Sequence, residues 1–106
     1  MIRVAIVGTG GMGTVHYHNY QHIDDAEVVA VVGGSEKGQQ RASDWNAAHY
    51  SSIDQCAQSE DIDVFDICTP TYLHKQHVME VLSKNKHAIT EKPIALNRKD
   101  AEEMYA

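Results

Sequence analysis

The sequence predicts a doubly wound parallel α/β sheet, three layers deep, with strand order 3-2-1-4-5. Two observations carry the prediction. Short, nearly continuous apolar runs alternate with stretches of helical length, the pattern of strands buried on both faces and joined by right-handed crossovers. A glycine-rich turn also leaves the first apolar run and enters a helical stretch.

Ile2-Arg3-Val4-Ala5-Ile6-Val7 is the first strand, closed by Gly8. Met12 to Ile23 has helical length. Glu27 to Val32 is the second strand, ended by Gly33-Gly34, and Ser35 to His49 is the second helix, weakened in its first turn by Gly38. Tyr50 marks a short third strand. Ser52-Ile53-Asp54-Gln55 reads as a capping box opening a helix to Ser59. Asp63 to Cys68 is the fourth strand, closed by Thr69-Pro70. Tyr72 to Asn85 places Val78, Val81 and Leu82 on one helical face, with Asn85 as its stop. His87-Ala88-Ile89-Thr90 is a weaker fifth strand, and Asn97 caps a last helix running to Ala106. No repeat or linker interrupts the chain, so residues 1–106 are expected to form one domain.

Composition excludes several classes. Apolar residues make up 42% and charged residues 23%, ordinary for a globular protein. The longest apolar run, Val28 to Val32, is far short of the roughly 18 residues that span a bilayer. Strand-like sequence begins at Ile2, so no leader is expected. The net charge is −6, with five acids against three bases in the first fifty residues and ten against six in the rest. Without a basic cluster, nucleic acid is not an expected partner, and neither is a membrane. Cys56 and Cys68 lack metal or CxxC spacing and read as free thiols, Cys68 as a buried inert one, so a reducing, cytoplasmic setting is expected.

Gly8-Thr9-Gly10-Gly11-Met12-Gly13 fits G-x-G-x-x-G. Between a strand and a helix, within a βαβ unit, the motif points to a dinucleotide. One glycine permits the turn, the next lets backbone approach a pyrophosphate, and the last lets helix and strand pack closely. The alternative is a plain glycine-rich turn with no ligand. The end of the second strand, Val32-Gly33-Gly34, lacks the acid that usually binds the ribose 2′-hydroxyl of NAD. Ser35, Lys37 and Arg41 follow and could hold a 2′-phosphate, so NADP is expected over NAD. His18 and His22 are spaced i, i+4 on the first helix, but a third metal ligand is not evident, so no metal is expected. His77 and His87 have no evident partner, and Trp45 and Tyr50 are expected to pack the second helix onto the sheet.

The fingerprint, the segment Cys68-Thr69-Pro70-Thr71-Tyr72-Leu73-His74 and the tripeptide Glu91-Lys92-Pro93 occur in order and at matching spacing. Together they resemble the N-terminal, Rossmann-fold domain of the glucose–fructose oxidoreductase / inositol dehydrogenase (Gfo/Idh/MocA) family, over essentially the whole chain. The resemblance implies NAD(P)-dependent hydride transfer on a sugar, inositol or related polyol. It also implies a second domain, absent from these 106 residues, that carries most of the substrate site. It implies that Gly8, Thr9, Gly10, Gly11, Met12 and Gly13 cradle the pyrophosphate and that Thr69 and Pro70 line the dinucleotide. His74 would face the cofactor cleft and Glu91 would touch the nicotinamide ribose. Lys92 would be the catalytic residue, orienting and polarising the substrate hydroxyl beside the nicotinamide. Many members carry Asn where this chain has Thr71. A stand-alone, non-catalytic dinucleotide-binding module is the other functional class the residues allow. Without the second domain the chain is expected to be inactive and, with apolar surface around Ile94, Ala95 and Leu96, to self-associate.

Overall fold

Five parallel strands form one sheet in the order β3-β2-β1-β4-β5 in the computed structural model, which describes residues 2–8 and 10–90. The strands are β1 (Ile2–Val7), β2 (Ala26–Val32), β3 (Ala48–Tyr50), β4 (Val64–Ile67) and β5 (His87–Thr90). The helices are α1 (Gly11–Tyr20), α2 (Ser35–Asp44), α3 (Ile53–Ser59) and α4 (His74–Ser83). The predicted order 3-2-1-4-5 is therefore the observed one, and all four strand pairs are parallel.

Strand alternation divides the core in two. Val4 and Ile6 of β1 face one way, with Val28, and pack against Tyr17 and Tyr20 of α1 and against Trp45. Ala5 and Val7 face the other way, with Phe65 and Ile67 of β4, beneath Ile53 and Cys56 of α3 and Val78 and Val81 of α4. Phe65 is fully buried, and its truncation to alanine should cost about 3–5 kcal/mol. Trp45 reaches the sheet layer by stacking on Tyr17, with ring centroids 4.2 Å apart and planes 5° from parallel. Tyr50 packs against the second of these clusters and donates from its hydroxyl to Glu60 Oε1 at 2.8 Å.

Several boundaries differ from the sequence expectation. α2 ends at Asp44 rather than His49, because Asn46 adopts φ 54° and Ala47 N–H donates to Ala42 C=O at 2.8 Å. That is a Schellman-type stop built on asparagine, and it frees Ala48–Tyr50 to pair with β2 as a strand. Asn85, at φ 59°, ends α4 by the same device, with Lys86 N–H reaching Val81 C=O. A 3-10 turn over Thr71–Leu73 delays the start of α4 to His74. The capping box at α3 is present in shifted form: Ser52 Oγ accepts from Gln55 N–H, while the Gln55 side chain accepts from Ser51 N–H. No helix among the described residues is long and apolar enough to cross a membrane.

Candidate functional site

Three loops meet at the carboxyl edge of the sheet. Cys68 N–H donates to Val7 C=O, Gly8 N–H to Val32 C=O, and Gly33 N–H to Tyr50 C=O, at 2.8 to 3.0 Å. The turns after β1, β2 and β4 are thereby locked side by side, where open α/β sheets bind ligands.

The glycines of the first turn each meet a separate demand. Gly8 has φ 98°, and a Cβ there would stand 3.0 Å from the Cys68 carbonyl and the Thr69 methyl. A Cβ on Gly13 would lie 2.6 Å from Gly8 O, so α1 approaches the end of β1 as closely as a bare backbone permits. Gly10 is different. It is the N-cap of α1, its backbone is extended, and a Cβ on it would meet nothing within 4 Å. α1 has no side-chain cap and no acid in its first turn, so its amino end presents unpaired N–H groups and the positive end of its dipole to open space. An anionic pyrophosphate fits that place.

Thr69 is held from two sides. The buried His74 donates from Nε2 to Thr69 C=O at 2.8 Å, and His77 Nδ1 lies 2.9 Å from Thr69 Oγ1. Burial holds the His77 pKa below the ordinary histidine value. The expectation that His77 lacks a partner is thus corrected. A cavity of about 340 Å³ opens in front of this pair, bounded by Gly8, Gly33, Ser52, Gln76 and Glu80. His77 lines it, whereas His74 sits behind Thr69 and supports the loop from within. Pro70 is exposed beside it.

An adjoining cavity of about 370 Å³ lies beyond Gly33 and Gly34, lined by Glu36, Gln39, His49 and Ser51. His49 Nε2 donates to Gly33 C=O at 3.0 Å. Lys37 is exposed and Arg41 half-buried, and neither lines this cavity. Arg41 Nε is buried with no hydrogen-bond partner among the described residues. A third cavity, about 300 Å³ between Tyr17, Tyr20 and Trp45, lies at the opposite end of the sheet, away from the glycine turn.

Beneath α1, His16 Nδ1 lies 2.7 Å from Asp66 Oδ2, and Tyr20 donates to the same oxygen at 2.8 Å. Burial, then the bond to Asp66, pushes the Tyr20 pKa up. Cys68 Sγ lies 3.4 Å from both His16 Nδ1 and Asp66 Oδ1. Cys68 is therefore half-buried beside a polar cluster rather than fully buried as expected. The sequence reading missed this cluster; the charged residue inside the apolar run Val64-Phe65-Asp66-Ile67 was the available signal.

The structure thus brings Gly8, Gly10, Gly13 and Thr69 together at one edge of the sheet, with Pro70 beside them. Gly11 is the first residue of α1; Thr9, the side chains of Met12, Ser35 and Thr71, and all of Glu91, Lys92, Pro93, Ile94, Ala95 and Leu96 lie outside the described residues, as does the helix expected after Asn97.

Residues 2–106 match the family described as the oxidoreductase family with an NAD-binding Rossmann fold, GFO_IDH_MocA. The chain is 36% identical over 108 residues to scyllo-inositol 2-dehydrogenase (NADP(+)) of Bacillus subtilis, covering 100% of this chain and 33% of that protein. It is 32% identical to the 2,7-anhydro-N-acetylneuraminate hydratase of Escherichia coli, covering 98% of this chain and 28% of that one. The WlbA dehydrogenase of Bordetella pertussis, solved with NADH and UDP-GlcNAcA, superposes with a TM-score of 0.92 at 29% identity, over 98% of this chain and 33% of the other. The chain spans about a third of the length of the curated relatives it matches.

Proposed function

We propose, from the premise that this chain belongs to the Gfo/Idh/MocA oxidoreductase family, that it supplies the cofactor domain of an enzyme moving a hydride between a nicotinamide dinucleotide and a sugar, inositol or related polyol. The observation that carries this reading is the uncapped amino end of α1, open at Gly10 and framed by Gly8 and Thr69. The bound cofactor supplies the hydride chemistry. This chain's residues hold its phosphates by backbone N–H groups and fix the Thr69-Pro70 loop against it through His74 and His77. In this reading Lys92 orients and polarises the substrate hydroxyl, Glu91 contacts the nicotinamide ribose, and a further domain holds the substrate.

The finer proposal is a preference for NADP(H). It is supported by the lack of an acid at Val32-Gly33-Gly34, by Lys37 and Arg41 on α2, and by the relative named for NADP(+). A second reading, NAD(H), is favoured by Glu36, whose side chain lines the cavity beside Gly33 and Gly34, and by the neighbour solved with NADH. Calorimetric titration of the full-length protein with both cofactors decides between them. Tighter NADP(H) binding that weakens in Lys37→Ala and Arg41→Ala supports the preference; tighter NAD(H) binding that weakens in Glu36→Ala overturns it. Lys92, which also contacts the cofactor in this reading, should when changed to Ala lower turnover on the best polyol by about 10²–10³-fold and weaken cofactor binding by much less. Cofactor binding with no turnover on any sugar or inositol would support the non-catalytic module instead.

A further inference from the structure

We infer that His16, Asp66 and Cys68 form a binding site for one transition-metal ion of the zinc class, beneath α1 at the carboxyl end of β4. Three side chains from two separate elements bring a nitrogen, a carboxylate oxygen and a sulfur within 4.8 Å of one another. Imidazole, carboxylate and thiolate are the donors zinc selects. A tetrahedral zinc ion with ordinary bond lengths would hold sulfur about 3.6 Å from its nitrogen or oxygen neighbours, and nitrogen about 3.3 Å from oxygen. Cys68 Sγ lies 3.4 Å from His16 Nδ1 and 3.4 Å from Asp66 Oδ1, while His16 Nδ1 lies 2.7 Å from the other carboxylate oxygen, Oδ2. The carboxylate thus presents one oxygen to the nitrogen and the other to the sulfur, and a small rotation of it, with the nitrogen–oxygen contact widened, brings one oxygen into a three-ligand triangle.

The surroundings favour the ion. The Asp66 carboxylate is 1% exposed, and a divalent cation flanked by carboxylate and thiolate leaves no net charge in the buried site. The Tyr20 hydroxyl donates to Asp66 Oδ2 at 2.8 Å, the outer-shell contact that orients a ligating carboxylate. The His16 side chain keeps 12% exposure, which leaves a route in from the surface. On binding, the Cys68 thiol gives up its proton to solvent as the metal–sulfur bond forms. His16 binds through Nδ1 with its proton on Nε2. The fourth position falls to water, so the site is an open one. His18 and His22, both exposed on and after α1, offer only two ligands and are the competing surface pair.

Metal-stripped full-length protein, titrated with zinc against a chromogenic chelator and with cobalt by absorbance, tests the site. One ion per chain is expected, with a thiolate-to-cobalt charge-transfer band. Cys68→Ala should abolish that band, and both Cys68→Ala and His16→Gln should weaken zinc by at least about tenfold. Tyr20→Phe should keep the band but weaken zinc by about 10–100-fold. His18→Asn with His22→Asn should change neither readout. Circular dichroism of each variant separates lost ligands from lost fold, and Tyr20→Phe, which changes no ligand, keeps the test open if His16→Gln unfolds. Binding below one equivalent, absence of a sulfur band, or loss of binding only in the His18/His22 variant would overturn the assignment.

Discussion

The turn after β1 and the turn after β2 repeat one device. Each begins with a glycine at positive φ, Gly8 at 98° and Gly33 at 83°, and each places a second glycine five residues on, Gly13 and Gly38, whose missing Cβ lets the helix lie on the first glycine's carbonyl. A Cβ on Gly38 would overlap Gly33 O outright and crowd His49 Nε2. The turns differ in what they show to a ligand. Neither helix has a side-chain cap, but the first also has no acid in its first turn and faces open space. The second opens a helix that carries Glu36 in its first turn, and His49 occupies the Gly33 carbonyl. A shared glycine spacing thus leads into two different helix starts, the first through an extended Gly10 and the second through a left-handed Gly34, and only the first is free of acid and so suited to a phosphate.

Substitutions at paired positions break this comparison most sharply. Gly38→Ala and Gly13→Ala should both lose stability in urea denaturation, by about 1–3 kcal/mol or more, with Gly38 the worse because its overlap is deeper. Only Gly13→Ala should also loosen the dinucleotide, since only it shifts the helix end at the fingerprint. Gly8→Ala should follow at about 1–2 kcal/mol, from strained backbone and the Cys68–Thr69 contact. Gly10→Ala should cost under about 1 kcal/mol of stability, yet weaken dinucleotide binding by at least about tenfold in calorimetry, because its methyl enters the space the phosphates need. Equal effects of Gly10→Ala on stability and on binding would contradict the division between scaffold glycines and the ligand-facing one.

The smallest expected effect concerns pH. Burial lowers the folded-state pKa of His77 below its unfolded value of about 6.5. The unfolded chain therefore takes up the proton first as pH falls. The contribution is fully present above about pH 6.5 and declines as pH drops toward the lower folded-state value. Replacing His77 with Leu should flatten the stability profile in that window, measured by thermal melts from pH 5 to 8, and should loosen Thr69.

Much of the fold was legible because it rests on periodicity. The four longer strands and their order follow from apolar runs and a glycine turn, which depend on local sequence. The third strand was reduced to Tyr50 because Asn46 ends α2 only through a left-handed backbone, and asparagine signals that weakly. In the site, Gly8, Gly10 and Gly13 were legible from motif spacing, and Thr69 from the family resemblance. The roles of His77 and His49 were not, since a histidine's partner is set by which loop the fold brings across from it. Gly38, read as a flaw in a helix, is a packing requirement visible only once Gly33 O is in place.

Trp45 is the only tryptophan, and its ring lies flat on Tyr17 at the end of the sheet opposite the glycine turn. Within these 106 residues there is accordingly one tryptophan reporter, seated where α1 and α2 meet. Its emission should shift to the red when that layer loosens, so one signal reads the losses expected at both glycine pairs. A change in that emission when a nicotinamide dinucleotide binds would have to arise by energy transfer across the domain rather than by contact.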